Sequence, residues 1–327
     1  MPPCYPNVLL NSILHEPFPL SPRVHRGSCR IEEWKAVWEC SASQTYELDL
    51  ARFMLFRAYR PAPPLGDFVE LLWLYEGFAR PAHERERLLP DGSVEVVFNL
   101  AEDKIRLYDR ENMDKFRTFH GSIISGPNTQ FFVIDTAEQD VVAGIHFKPG
   151  GAYPFLKMPS GELHNQHVEL EDIWGPLAGL VREQLLEAKS PGERLRILER
   201  GLYLAAGGAL GRHPAVAFAL NEFRGAPGER KIAEVTNQIG LSARRFIEVF
   251  HKEVGLTPKL FCRVRRFQRV LPYIRRGIEI DWVHIALECG YYDQAHFIHD
   301  FQEFSGINPR AYLAACTPHL NHVPMRG

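Results

Sequence analysis

Residues 240–258 read GLSARRFIEVFHKEVGLTP. On a helix of 3.6 residues per turn, Phe246, Val249, Phe250 and Val254 line one apolar stripe. Arg244, Glu248 and His251 fall nearly opposite, with Ile247 at the flank. An ordinary surface helix has a loosely mixed polar face, whereas this one groups a guanidinium, a carboxylate, an imidazole and an aliphatic side chain. Gly240 supplies the positive φ that lets a chain turn sharply out of a preceding helix. Ser242 stands where an N-cap oxygen is wanted, and Thr257-Pro258 opens the next helix with a cap residue and a first-turn proline.

The pattern recurs. Residues 290–309 read GYYDQAHFIHDFQEFSGINP. Phe297, Phe301, Gly306 and Pro309 answer to Phe246, Phe250, Gly255 and Pro258 at one constant offset of 51 residues. Gly290 answers to Gly240 at an offset of 50, so one turn is a residue longer, and Asp293 takes the cap position of Ser242. Two copies are too few for a solenoid and predict a duplicated helix-turn-helix unit. The periodicity places helices over 214–224, 229–239, 242–254, 258–275, 281–289, 294–304 and 309–315.

A recognition helix locks one apolar face onto its own domain and lays the other in the DNA major groove. Arg244 suits guanine, Glu248 accepts from cytosine N4 and Ile247 suits a thymine methyl, with His251 completing the face. In the second unit the same geometry exposes Ala295, His299 and Gln302, with Ile298 at the flank. Arg245 and the joining-helix arginines Arg263, Arg265, Arg266 and Arg269 are expected on phosphates. The formal net charge is only −2, but residues 228–276 hold 12 Lys and Arg against 4 Asp and Glu, which suits a local anionic partner. Pro272 is expected to kink or end the joining helix. Residues 277–316 carry one basic residue, Arg310, against six acidic ones, so the second unit is expected to contribute less to binding.

Upstream, the period is that of strands. FVELLWLYEGF from Phe68, ERLLPDGSVEVVFNL with its Asp91-Gly92 turn, IRLYD, FFVIDT and DVVAGIHFKPGG are short apolar runs punctuated by turn residues. They predict an antiparallel barrel or sandwich over 54–173. Residues 1–53 are Pro-spotted and weakly periodic, and are expected to form a poorly ordered extension. Residues 174–212 return to helical spacing and read as a linker or dimerisation region, or as a cover for the barrel. GGALGRHP reads as a hinge, after which residues from about 205 are expected to fold and bind DNA alone. Residues 317–327 read as a tail.

Residues 213–316 resemble the DNA-binding domain of AraC/XylS-type regulators, on the strength of GLSARRFIEVFHKEVGLTPKLF and LECGYYDQAHFIHDFQEFSGINPRAYL. LLPDGSVEVVFNL and HFKPGGA are similar to a sensor-like domain often found before that module. The resemblance implies an α+β chain: a cupin-like β domain with helices, then an all-α double helix-turn-helix domain. It implies sequence-specific transcription regulation on double-stranded DNA, with RNA polymerase, a second copy of the chain and a small-molecule effector as further partners. Trp73, Tyr75, Phe98 and Phe147 are the residues expected around an effector pocket.

The rival reading is a metal-dependent cupin-type enzyme fused to a DNA-binding module, using His83, His120, His146, His164 or His167. These histidines lack convergent ligand spacing, so no metal, cofactor or catalysis is expected. The six cysteines, at 4, 29, 40, 262, 289 and 316, include no C-x-x-C pair. Reduced thiols fit a cytoplasmic protein, and the chain has no apolar run long enough to span a bilayer.

Overall fold

The alternating apolar runs upstream of residue 150 form two antiparallel sheets. The structure, a computed structural model, describes residues 45–50, 54–77, 84–137, 139–208, 210–225, 232–276, 280–315, 317 and 320–325. In chain order the N-terminal strands are β1 (Thr45–Leu50), β2 (Met54–Tyr59), β3 (Val69–Gly77), β4 (Arg85–Leu88), β5 (Glu95–Asn99), β6 (Ile105–Tyr108), β7 (Phe116–Phe119), β8 (Ser122–Ser125), β9 (Phe132–Asp135), β10 (Val141–Phe147) and β11 (His167–Glu169). The expectation of a disordered start lies outside the described residues except at β1, which pairs along its length with β2.

A seven-stranded sheet runs β1-β2-β3-β10-β5-β8-β11. A five-stranded sheet runs β4-β9-β6-β7 and is completed beside β4 by β12 (His322–Met325), from the far end of the chain. Alternation decides which side chain faces which layer. Val96, Phe98 and Ile124 turn to one face of the large sheet, where they join a core with Trp174, Val181, Leu185, Leu198 and Leu202. Ile123 turns the other way and packs with Leu107, Phe119 and Ile134 between the two sheets. At the pairing of Gly144 with Trp73, any side chain on residue 144 would collide with the indole.

The helices on that first face are α1 (Tyr153–Leu156), α2 (Leu170–Trp174), α3 (Pro176–Glu187) and α4 (Pro191–Ala206). Val181, Leu185, Leu195, Leu198 and Leu202 are all buried there, so these helices cover the sheet with their apolar stripes. Outer positions Leu180, Leu186, Tyr203 and Leu204 stay exposed.

The C-terminal region is helical: α5 (Pro214–Gly225), α6 (Ile232–Ile239), α7 (Ala243–Val254), α8 (Pro258–Arg276), α9 (Trp282–Glu288), α10 (Gln294–Ser305) and α11 (Pro309–Ala315). Helix α8 runs through Pro272 without interruption. The proline forfeits one backbone bond, but Val270, Leu271 and Ile274 on either side are fully buried and hold the helix in place.

This region does not stand apart behind a hinge. Leu89 of the β domain belongs to its apolar core, as does Val323 of β12. The Gln268 amide donates to the Pro90 carbonyl at 2.7 Å and lies 3.0 Å from Asn321 Oδ1. Within the hinge stretch, the His213 amide bonds the Glu253 carboxylate at 3.0 Å, and the Arg212 guanidinium lies 5.3 Å from the centre of the Phe68 ring. Among the described residues no helix is long and apolar enough to cross a membrane.

Candidate nucleic-acid interface

Each of the two helix-turn-helix units is assembled by local chemistry. Gly240 and Gly290 turn the chain at φ 73° and 83°. Ser242 Oγ then accepts from the Arg245 amide at 3.2 Å, and Asp293 Oδ1 from the His296 amide at 2.8 Å, which caps α7 and α10. Gly255 and Gly306 close the two helices in the left-handed region at φ 85° and 70°. Phe246, Phe250, Phe297 and Phe301 are fully buried, so the apolar stripe of each helix is its anchor.

The opposite faces are open at their N-terminal ends. Arg244 is 91% exposed and bonds Glu248 through Nε at 3.1 Å; Arg245 approaches the same carboxylate at 3.5 Å. The bond from Arg244, and then that from Arg245, hold the Glu248 carboxyl below its usual range. Exposed ion pairs of this kind are weak, so both partners are available to a ligand. Ile247 is exposed beside them. On α10, Ala295, His299 and Gln302 are exposed, whereas Ile298 is half-buried against the domain core.

His251 departs from the expected reading face. Its imidazole lies against Gly161, in the one-turn helix Ser160–Leu163 of the β domain, so it faces that domain rather than an open groove.

The joining-helix arginines depart further. Arg263 bonds Asp300 at 2.7 Å and Glu303 at 2.6 Å. Burial opposes its charge, but these two carboxylates outweigh that and raise its pKa. Arg266 donates to the Gly290 carbonyl at 3.1 Å and covers the Tyr291 ring at 5.1 Å. Arg265 lies in the seam, where burial lowers its pKa against the pull of Asp91. Arg269 is half-buried near Cys289. These cations hold the two units together and to the β domain. The sequence count of acidic residues in the second unit therefore overstates its free charge, because α8 neutralises part of it.

The C-terminal ends of both recognition helices rest on the β domain. Ser160 Oγ donates to the Glu253 carbonyl at 2.8 Å, and Gly255 packs against Pro127 and Ser160. The Phe131 amide donates to the Phe304 carbonyl at 3.0 Å, and the Phe131 ring covers Gly306. Both stretches that suggested a sensor lie in this seam. Gly92 touches Leu256, Phe261 and Val264, and Gly150 touches Leu220 and Val254.

Beneath the seam, His146 is buried between Asp91 at 3.4 Å and Glu95 at 3.7 Å. Burial would lower its pKa, but the two carboxylates outweigh it and lift it to about 9. The other described histidines of the metal reading have separate partners: His120 pairs with Glu169, His164 meets Thr129, and His167 meets the Phe132 ring edge to face. His83 lies outside the described residues. The ligating atoms of His299, Asp300 and Glu303 do converge, but the two carboxylates already hold Arg263. Burial pushes the Cys262 and Cys289 thiols up to about 11 and about 12, which makes them poor nucleophiles. Trp73 and Tyr75 pack on one face of the large sheet, and Phe98 and Phe147 on the other, so the four surround no common pocket.

Residues 235–315 match the family described as a helix-turn-helix domain. Residues 57–169 match a domain of unknown function, DUF6597. The C-terminal region is a helix-turn-helix domain of the AraC type, and the chain is a DNA-binding transcription regulator. Among solved structures, fatty-acid-bound ToxT from Vibrio cholerae strain SCE256 is 11% identical, with 71% of this chain and 91% of that one covered, at a TM-score of 0.39. ToxT from strain O395 is 12% identical over 71% and 95%, at 0.39. A DNA-binding transcriptional dual regulator from Escherichia coli K-12 is 19% identical over 33% and 95%, at 0.28. No curated protein matches the chain.

Proposed function

We propose that the exposed faces of α7 and α10, led by their open N-terminal turns, read adjacent major-groove segments, and that the β domain regulates this reading through the seam. The observation that carries it is an asymmetry within each recognition helix. The N-terminal end, at Arg244 or Ala295, is open, while the C-terminal end, at Gly255 or Gly306, is planted on the β domain. A rearrangement of the β domain would therefore shift both reading heads together.

Arg244, Ile247 and Glu248 are the base-reading set of the first unit, and Ala295, His299 and Gln302 that of the second. Phosphate contacts fall to exposed Arg245 and Lys259, since Arg263 and Arg266 are engaged internally. The exposed apolar side chains Leu180, Leu186, Tyr203 and Leu204 support a homodimer formed through α3 and α4.

The experiment is selection of bound sites from random duplex DNA, followed by titration of variants. A bipartite site is expected, with its halves about one helical turn apart. Alanine at Arg244 should relax one half and alanine at His299 the other. A single short site indifferent to His299 and Gln302 would exclude reading by the second unit.

A further inference from the structure

The space enclosed between the two sheets is nearly filled. The cavity lined by Val97, Ile123 and Ile134 measures about 50 Å³, too small for an organic effector. The mouth of the sandwich is different. Between the hairpin of β6 and β7 and the loop entering β9 lies a cleft of about 300 Å³.

Its rim carries Arg110, Lys115 and Arg117, all exposed. Among the described residues none of the three has a carboxylate within ion-pair distance. The acid beside them, Asp109, keeps its charge: it accepts from the amides of Asn112 and Glu111 at 2.8 and 2.9 Å, and these bonds, with the nearby Lys115 and Arg110, hold its pKa down. The lining carries three cations against one carboxylate, Asp109, and this net positive set focuses a positive field on the concavity. Two aromatic rings also line the cleft. Phe116 is half exposed, with the Arg106 guanidinium 5.2 Å from its ring centre and the Tyr108 ring beside it at 5.6 Å, and the rest of its surface is open to the cleft. Phe131 forms the wall toward α10. The inner wall includes His167, whose Nδ1 is buried without a partner. Burial, and then the charge of Arg117, push its pKa down to about 4, so the ring is neutral near pH 7.

We propose that this cleft binds a small organic anion with a flat apolar body, the anionic group held by Arg110, Lys115 and Arg117 and the body laid on Phe116 and Phe131. The proposal rests on regulation through the β domain, and deepens it by giving the effector a chemical class and a place. A planar anion satisfies the guanidinium forks, and the rings cover its body. The position connects occupancy to the second recognition helix, because the Phe131 amide is bonded to the last turn of α10.

The test uses the full chain, calorimetric titration with 2-naphthoate, and 2-naphthamide as its uncharged counterpart. Naphthoate should bind, and naphthamide should bind at least about tenfold more weakly. Arg117→Gln with Lys115→Gln, and separately Phe116→Ala, should each weaken naphthoate by about tenfold while leaving thermal unfolding unchanged, since all three side chains are exposed. Equal binding of the two probes, binding indifferent to these variants, or no heat at about 1 mM naphthoate would overturn the proposal. DNA affinity is measured in parallel. If naphthoate binds in the cleft but leaves DNA affinity unchanged, the site stands and regulation through it fails. If the Arg117 and Lys115 variants weaken DNA binding without any ligand, the cations serve a phosphate backbone and the proposal is wrong.

Discussion

The backbone amide of Phe131 donates to the carbonyl of Phe304 at 3.0 Å, which ties the β domain to the last turn of the second recognition helix. The ring of the same phenylalanine covers Gly306, the residue that ends that helix at φ 70°. A methyl group at 306 would meet the ring and would also sit in a left-handed conformation. Gly207, at φ 62°, ends α4 with open space around it. Gly207→Ala is thus expected to cost only the backbone strain, about 1 kcal/mol, while Gly306→Ala costs clearly more and also weakens DNA binding. Thermal unfolding and DNA titration of both variants check this. Equal losses would mean that the Phe131 contact does not hold the helix.

His146 gives the seam a pH dependence. Its folded pKa of about 9 lies above the ordinary 6.5, because Asp91 and Glu95, with a further pull from Glu70, outweigh its burial. A raised pKa stabilises the fold fully below about 6.5, and that contribution is lost as pH climbs through about 9. Stability should therefore fall across this window, by an amount on the order of 1–3 kcal/mol. His146→Gln should flatten the fall. Melting temperatures measured across that range decide it, and an unchanged slope in the variant would assign the effect elsewhere.

The duplication, the caps and the buried phenylalanines were legible from residues 240–309 because they are local. A glycine turn, a side-chain cap and a 3.6-residue stripe are written within a few positions of each other. The seam was not legible. Nothing local to Arg263 shows that Asp300 and Glu303 will be its partners, and nothing local to His251 shows that Gly161 will cover it. An arginine on the exposed side of an isolated helix looks the same whether it meets phosphate or carboxylate. The strand His322–Met325 reads as a tail for the same reason, since its partner Arg85–Leu88 lies more than two hundred residues upstream. The effector residues are not told apart by local sequence either, because Trp73 and Phe98 lie on different strands and only the pairing between strands turns them to opposite faces of one sheet.

Arg263 separates these two roles by experiment. Its guanidinium bonds Asp300, a carboxylate only 2% exposed, and the Arg266 guanidinium and the His296 imidazole stand farther off at 3.9 and 3.8 Å. Arg263→Ala leaves that buried charge without its closest partner and is expected to lower stability by about 3 kcal/mol. The slope of log affinity against log salt should stay as in the parent chain, because no phosphate contact is lost. A shallower slope with unchanged stability would return Arg263 to the DNA backbone.

Arg244 is the complementary case. It stands at the second residue of α7, almost wholly exposed, and among the described residues its partner is the exposed Glu248 one turn on. The N-terminal turn of a recognition helix lies deepest in the groove, and a guanidinium fork matches the two acceptors of guanine. In the free protein Glu248 orients that fork at little energetic cost, and on binding it can turn to a cytosine amine. Arg244→Ala should cost about 1–3 kcal/mol of binding to the selected site and relax the preference at one base position. Arg244→Lys should recover little of the selectivity, since a lysine keeps the charge but loses the planar pair of donors. Fold stability should stay within about 0.5 kcal/mol, as expected for an exposed side chain. The measurement is a titration of each variant against single-base variants of the selected site at several salt concentrations. A uniform loss across all sequences, with a shallower salt slope, would make Arg244 a backbone clamp and move the reading face away from the first turn of α7.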